Sequence, residues 1–187
     1  MKMSKNFVKL LVVAVAVLSI FAEIFIIPAK QIQAAQSTVV ISNKKLKNAK
    51  LNVILSVDGK KLKYKGFKVN AKIDGVKEKV YYVPAKAFAK AVGAKYKIKG
   101  KNAKITMGNW AISFKVGSDG YSAAPADGSI SYAKTANLGK AYKKDGVVYI
   151  PANVFLGLYQ DLLGKEITFL VEDTAIKFYT KDLLHED

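Results

Sequence analysis

The sequence predicts an α+β fold in which antiparallel, twisted sheets pack with two short helices that each begin at a proline. Asp-Gly pairs separate alternating polar and apolar runs, a pattern typical of tight hairpin turns between strands. A second pattern occurs twice, at residues 80–88 and 147–155: an apolar run, a proline, an alanine and, four residues after the proline, a phenylalanine. Because proline is favoured at the first position of a helix, each copy predicts a strand that leads into a helix.

The strand candidates of the first half form two hairpins, each with an Asp-Gly pair at its turn. They are predicted at residues 51–57 with 61–65, across Asp58-Gly59, and at residues 68–73 with 76–83, across Asp74-Gly75.

Each proline of the repeated pattern begins a predicted helix. After Pro84 the period of the apolar residues changes from two to about 3.6, as in an amphipathic helix. The residues expected on its buried face are Ala85, Phe88, Ala89 and Val92, with Lys86 and Lys90 on the opposite face and Gly93 at the end. The helix after Pro151 is expected to bury Val154, Phe155, Leu158, Tyr159 and Leu162 and to end at Gly164.

The other strands are expected between and after the helices. Three short candidates, residues 95–98, 103–107 and 111–116, are separated by turns at Gly100-Lys-Asn and Gly108-Asn. Residues 117–140 are weakly patterned and rich in glycine, serine and alanine, so they predict a long loop in which residues 130–132 pair as a strand. A final hairpin is predicted from residues 165–171 and 174–179 across Glu172-Asp173.

The repeated pattern divides the predicted domain into two related halves. Pro84 and Pro151 are 67 residues apart. This interval is longer than the period of solenoid repeats, so it favours two half-domains, residues 56–116 and 140–180. Residues 36–55 are expected to form an N-terminal extension with a first strand, and residues 181–187 an acidic tail.

The order of turns, strands and helices resembles the stalk domain of secreted Gram-positive proteins, also called the copper amine oxidase N-terminal-like domain. The matching residues are Asp74, Gly75, Tyr82, Val83, Pro84, Phe88, Gly93, Ala94 and Gly100, then Asp145, Gly146, Tyr149, Ile150, Pro151 and Phe155. The resemblance covers residues 56–180. It implies an α+β module that occurs alone or attached to wall-associated enzymes and that generally has no assigned reaction.

The N-terminus has the three regions of a secretory signal peptide. Lysines precede an apolar stretch at residues 10–27, and Ala34-Ala35 follow as a cleavage site. We therefore expect residues 1–35 to be removed and the protein to be secreted or associated with the cell wall. The alternative is an uncleaved membrane anchor at residues 10–27, because this stretch is near the length that spans a bilayer.

The charge is strongly positive, and every one of the 31 basic residues is lysine. Residues 36–159 carry 24 lysines and 6 acidic residues, whereas residues 160–187 carry 3 lysines and 7 acidic residues. Such a field attracts polyanions without distinguishing one from another. Specific recognition of DNA or RNA usually uses the planar guanidinium group of arginine, so we expect no specific nucleic-acid partner.

The residue types that metal and catalytic sites require are scarce. The chain has no cysteine, and its single histidine, His185, stands near the C-terminus, where we expect it to be solvated. Copper amine oxidase chemistry needs histidine ligands and a modifiable tyrosine after an asparagine, and no asparagine precedes a tyrosine here. Most acidic residues before residue 160 stand near turn glycines and are expected to form turns. We predict no enzymatic activity, no cofactor and no metal site.

The candidate binding residues are six lysines at alternating positions of two predicted strands. They are Lys61, Lys63 and Lys65, opposite Leu62 and Tyr64, and Lys95, Lys97 and Lys99, opposite Tyr96 and Ile98. Side by side on a sheet, two such rows would bind a polyanion such as a phosphate-bearing wall polymer, with an affinity that falls with salt. The competing interpretation is a solvated outer face whose lysines protect strand edges.

These observations predict an exported, non-enzymatic cell-envelope module that makes weak, charge-driven contact with anionic cell-wall or matrix polymers. Two alternatives stay open. One is a protein-binding assembly module that uses a sheet edge or the loop at residues 117–140. The other is a hydrolase with a site that no motif reveals. Contact with a membrane is expected only if the signal peptide is not cleaved.

Overall fold

A computed structural model describes residues 39–128, 134–157, 163, 167–172 and 174–180, and these residues have the predicted α+β fold. The helices are α1 (Asn43–Asn48), α2 (Ala85–Ala91) and α3 (Asn153–Gly157). The strands are β1 (Val39–Val40), β2 (Ile54–Val57), β3 (Lys60–Lys61), β4 (Phe67–Ile73), β5 (Val76–Pro84), β6 (Lys95–Lys99), β7 (Asn102–Met107), β8 (Trp110–Lys115), β9 (Gly120–Pro125), β10 (Lys134–Asn137), β11 (Tyr142–Lys144), β12 (Val147–Pro151), β13 (Thr168–Val171) and β14 (Ala175–Tyr179).

The described strands form three sheets. The first has the order β1-β4-β5-β12-β11 and curls into a half-barrel. The second is β10-β9-β8-β7-β6, and the third is β13-β14-β2-β3. Pairing within the first two sheets is antiparallel, and in the third β14 runs parallel to β2. This parallel contact brings the last strand of the described chain beside the first hairpin.

The turns predicted at the Asp-Gly pairs are confirmed, and so is the β4–β5 hairpin, whereas of the strand expected at residues 61–65 only Lys61 lies in a strand, β3. The aspartates have positive φ angles of 48°, 49° and 49°, and the glycines after them 75°, 86° and 79°, at Asp58-Gly59, Asp74-Gly75 and Asp145-Gly146 respectively. Two successive positive φ angles give the turn whose twist suits two adjacent antiparallel strands. Aspartate and glycine tolerate this conformation better than other residues, so the turn chemistry fixes the register of each hairpin.

The two copies of the repeated pattern pair with each other through β5 and β12. Val83 is directly opposite Ile150, and each proline is opposite the tyrosine of the other copy: Pro84 faces Tyr149, and Pro151 faces Tyr82. The pairing is therefore symmetric about the Val83–Ile150 pair, with equivalent residues 67 positions apart. The two copies meet at the centre of the first sheet.

The phenylalanines that follow the prolines meet in the same way. Phe88 of α2 and Phe155 of α3 are both fully buried, as predicted, and their ring centroids are 4.5 Å apart. Phe178 of β14 packs edge-on against Phe88, with 4.5 Å between ring centroids. This cluster joins both helices to the third sheet, because each of its three aromatic side chains comes from a different element.

A second aromatic cluster fills the half-barrel of the first sheet. Phe67 stacks on Tyr82 at 4.6 Å between centroids and packs obliquely on Tyr149 at 5.2 Å. Leu46 of α1 is fully buried in this cluster. The sequence pattern did not predict α1, because five of its six residues are polar and only Leu46 is apolar.

Lysine side chains hold α1 against the first sheet. Lys144 donates to the carbonyl oxygen of Lys47 at 2.7 Å, in the last turn of the helix, where free carbonyl groups favour a cation. Lys45 donates to the carbonyl oxygen of Asn70 in β4 at 2.9 Å. Some of the positive charge therefore has a structural role that composition does not reveal.

The prediction of a long loop at residues 117–140 is wrong, because much of this segment belongs to the second sheet. β9 pairs with β8 from Pro125 to Tyr121, and β10 pairs with β9. Tyr121 and Ala123 are buried. The small residues of β9 gave this strand little hydrophobic periodicity. Residues 130–132, where a strand was expected, lie outside the described residues.

Other predictions fall partly or wholly outside the described residues. These are the signal peptide at residues 1–35, the helical positions Leu158, Tyr159 and Leu162, the helix end at Gly164, and the tail with His185. The final hairpin is confirmed where it is described, since β13 and β14 pair antiparallel from Val171 with Ile176 to Thr168 with Tyr179.

Two buried tyrosine hydroxyl groups, of Tyr121 in the second sheet and Tyr82 in the first, lie beside Gly139. The hydroxyl of Tyr121 donates to the carbonyl oxygen of Gly139 at 3.0 Å, and the buried hydroxyl of Tyr82 has no partner among the described atoms. Burial raises the pKa of Tyr82 above its ordinary value, with a smaller contribution from Asp119. Burial also raises the pKa of Tyr121, with smaller contributions from Tyr82 and Asp119.

These tyrosines are expected to make the fold sensitive to alkali. An unfolded tyrosine loses its proton near pH ~10. Because folding raises both pKa values, their contribution to stability is complete below that pH and is lost as the pH rises above it. The free energy of unfolding should therefore fall steeply above pH ~10, and less steeply in Tyr82→Phe. Reversible ionisation of all tyrosines in the folded protein near pH ~10, followed by phenolate absorbance, would contradict this.

Candidate polyanion-binding surface

The second sheet presents a lysine-rich face that begins at its edge strand, β6. Lys95, Lys97 and Lys99 alternate along this strand, as predicted, and all three are exposed. Alternate residues of a strand point to the same side of the sheet, about 6.6 Å apart. These lysines therefore form one row along the edge of the sheet.

The neighbouring strands extend this row across the sheet. Lys97 of β6 is directly opposite Lys104 of β7. Asn102, opposite Lys99, is itself paired with Lys115 of β8. Directly opposed residues share a face, so five exposed lysines lie on one side of the sheet. We call this the ladder face: Lys95, Lys97, Lys99, Lys104 and Lys115.

Hydrogen-bonding side chains lie among these lysines. Ser113 is paired with Lys104 on one side and with Ser122 on the other, and Asn102 stands between Lys99 and Lys115. Ser113 and Asn102 are exposed. The ladder face thus combines ammonium, amide and hydroxyl groups, which donate to the oxygens of phosphate or carboxylate groups.

The opposite side of the same sheet is apolar, and this fixes the direction in which the lysines point. The residues buried there include Ala103, Ile105, Ile112, Phe114 and Tyr121. Turning the sheet over would bury the ammonium groups and expose these side chains, at a large cost in free energy. The outward direction of the ladder face therefore follows from the core.

No acidic residue occurs in strands β6 to β9. Lys97 and Lys104 are cross-strand neighbours, and like charges directly opposite each other destabilise a sheet. Elsewhere a lysine is compensated: Lys177 of β14 contacts Glu172 at 2.6 Å. An anion that binds between Lys97 and Lys104 would reduce the repulsion between their ammonium groups, which no acidic residue of these strands compensates.

A shallow depression lies on the same part of the sheet. Its lining combines five residues of the ladder side of the sheet with three that alternate with them along the strands: Lys97, Lys99, Asn102, Lys104 and Ser113, then Ile98, Ala103 and Phe114. The depression is open to solvent, so it suits an extended chain that lies along the surface better than a small enclosed substrate.

The other three predicted lysines do not join this face. Residues 61–65 were expected to form one strand, but β3 ends at Lys61 and belongs to the third sheet. Lys63 and Lys65 follow in irregular structure, and the Nζ atom of Lys63 lies 5.7 Å from the ring centroid of Tyr64. Tyr64 is 41% exposed, so alternation here did not indicate a buried face. Lys61 therefore belongs to the third sheet and Lys95, Lys97 and Lys99 to the second, so the two predicted rows are not neighbouring strands of one sheet.

A second lysine-rich face occurs where no candidate site was predicted. In the β4–β5 hairpin, Lys72 is directly opposite Lys77, and Asn70 is opposite Lys79. All four residues are exposed. We call this the hairpin face: Asn70, Lys72, Lys77 and Lys79. Lysine at alternating positions of residues 68–79 was visible in the sequence, but the register that opposes Lys72 and Lys77 depends on the turn at Asp74.

Neither a group of metal-binding side chains nor a membrane-spanning helix is found in the described part of the chain. No group of three or more histidine, cysteine or acidic residues is close enough to hold a metal ion there. No described helix has the length and apolar character needed to cross a membrane.

Comparisons with known proteins match nothing: no family model, no characterised protein and no solved structure is significantly similar to this chain. Its possible roles therefore have to be argued from its own surface.

Proposed function

We propose that the protein is an exported, non-enzymatic module of the cell envelope that binds anionic wall or matrix polymers through the ladder face. The observation that carries the proposal is the register of β6, β7 and β8, which gathers five exposed lysines on one side of a sheet without acidic residues in its strands. The signal-like N-terminus and the resemblance to the stalk domain support an extracellular role.

The chemistry of the face favours charge over shape. Its lysines are exposed point charges on flexible stems, and they follow the two-residue period of the strand. A polymer with regularly spaced phosphate or carboxylate groups can contact several lysines at once, which increases affinity without an enclosed pocket. Binding of this kind weakens as salt increases, because exposed charges are screened within about 10 Å at 0.1 M ionic strength.

Removal of two central lysines should weaken binding strongly. In Lys97→Gln/Lys104→Gln we expect a loss of tenfold or more in affinity for purified cell walls or for polyphosphate, since each lysine near an anionic surface contributes ~1 kcal/mol. The matched control is Lys86→Gln/Lys90→Gln, which removes the same charge from the exposed side of α2. Affinity is measured by co-sedimentation or titration across a salt series.

The control separates a defined surface from net charge alone. If the ladder face is the site, the α2 variant keeps most of its affinity. Equal losses in both variants would show that overall charge, not this face, governs retention, and the proposal would fail.

The assembly alternative is favoured by one observation: β6 is the end strand of the second sheet, and Ile98 on it is 46% exposed. An edge strand with an exposed apolar residue can pair with a strand of a partner protein. Salt distinguishes the two proposals, because partner binding through main-chain hydrogen bonds and apolar contact would survive in high salt.

A further inference from the structure

The hairpin face repeats one feature of the ladder face on another sheet, although β5, unlike β6 to β9, carries an exposed acidic residue, Glu78. In both, two lysines are directly opposed across antiparallel strands: Lys72 with Lys77 in the first sheet, and Lys97 with Lys104 in the second. Like charges in this arrangement repel each other. The hairpin face therefore also has positive charge that an anion would compensate.

The hairpin face points away from the core of its own sheet. Its residues alternate with Val69, Ala71 and Val80, which are buried in the half-barrel. Lys72 and Lys77 therefore point outward, as the lysines of the ladder face do, because the other side of the strands packs against the core.

The two faces are separated along the chain by a strand and a helix. Lys77 lies seven residues before Pro84 on β5, about 23 Å along an extended strand. After Pro84 the chain forms α2 and only then enters β6. The Lys72–Lys77 pair is therefore at the end of β5 that is far from Pro84, where the chain leaves the first sheet.

We propose that the hairpin face is a second polyanion-binding surface and that the protein, with two such faces, cross-links anionic polymer chains. This inference rests on the proposed function of the ladder face and extends it from attachment to bridging. Two sites on one molecule can engage two chains, and each polymer chain can engage many molecules. The result is a network whose formation requires both faces.

The test compares three variants that each remove two positive charges. Lys72→Gln/Lys77→Gln changes the hairpin face, Lys97→Gln/Lys104→Gln changes the ladder face, and Lys86→Gln/Lys90→Gln is the control on α2. Long-chain polyphosphate is mixed with each protein, and light scattering reports cross-linking. A short oligophosphate, too small to join two molecules, is titrated calorimetrically to count the sites.

We expect the unchanged protein and the control to scatter light with the long polymer and to bind two short oligophosphates per molecule. Each face variant should bind one and should lose the scattering. Thermal unfolding checks the fold, and both face variants should be at least as stable as the unchanged protein because a like-charge contact has been removed.

Other results separate the two proposals. If the hairpin variant keeps both the scattering and the number of sites, bridging is wrong while binding by the ladder face stands. If the unchanged protein binds neither probe at low salt, both proposals fail. If scattering persists in both face variants, cross-linking arises from net charge, and the two-face model is overturned.

Discussion

Replacement of Phe88 by alanine is expected to lower the free energy of unfolding by ~3–5 kcal/mol, the usual cost of deleting a fully buried phenylalanine ring. Phe88 has no exposed surface, and its ring touches both Phe155 and Phe178 at 4.5 Å between centroids. These partners come from α3 and β14. A cavity here would therefore loosen the contact of both helices with the third sheet.

Denaturant unfolding measures this loss, with Lys90→Ala on the exposed side of α2 as the control. Surface substitutions of this kind change stability by less than about 0.5 kcal/mol. Phe155→Ala should cost a similar amount to Phe88→Ala, and the double variant less than the sum, because each ring fills part of the space beside the other. A loss below about 1 kcal/mol for Phe88→Ala would show that this ring is not an anchor of the core.

The substitution Gly66→Ala should also be strongly destabilising, for a reason that does not involve a lost contact. A Cβ atom at this position would lie 2.4 Å from the carbonyl oxygen of Tyr82 and 3.1 Å from Cδ1 of Leu55. Gly66 is also held by two main-chain hydrogen bonds to Val53, of 3.0 and 2.8 Å. Overpacking of this kind costs about 1–3 kcal/mol, and more where backbone must move.

The carbonyl group of Tyr82 is the decisive obstacle, because Leu55 can adjust its side chain and a backbone oxygen in a sheet cannot. Gly66→Ala combined with Leu55→Ala should therefore remain as destabilised as the sum of the single changes or more. Lys65→Ala, at the exposed neighbouring position, is the control and should change the midpoint of thermal unfolding little. Recovery of stability in the double variant would show that Leu55, not the carbonyl group, limits the space.

Local chemistry made much of the fold predictable. Aspartate followed by glycine suits the two positive φ angles of the hairpin turns, so the turns at Asp58, Asp74 and Asp145 appear where expected. The helix after Pro84 buries the predicted face and ends where Gly93 adopts a φ of 79°. In each case the deciding interactions lie within a few residues of one another.

The wrong predictions concern residues whose burial depends on distant parts of the chain. Alternating lysines at residues 61–65 satisfied the two-residue period, but that period describes a strand only where the other face is buried, and Tyr64 is exposed. In β9, small residues such as Ala123 gave no hydrophobic pattern and yet pack inside the second sheet. The six residues of α1 contain one buried apolar side chain, Leu46, too few for a helical pattern.

The sequence by itself determined the turns, the helix that follows Pro84 and the alternation of lysines along single strands, because these depend on the conformational preferences of neighbouring residues. The second helix was expected to begin at Pro151, but Pro151 ends β12 and α3 begins at Asn153. The tertiary structure alone decided which strands are adjacent. In the folded chain Val83 pairs with Ile150, and Phe88 packs against Phe155. Lys104 lies opposite Lys97, whereas Lys61 belongs to another sheet. Cross-strand neighbours are set by burial of apolar faces over long separations in the chain, and no local pattern contains that information.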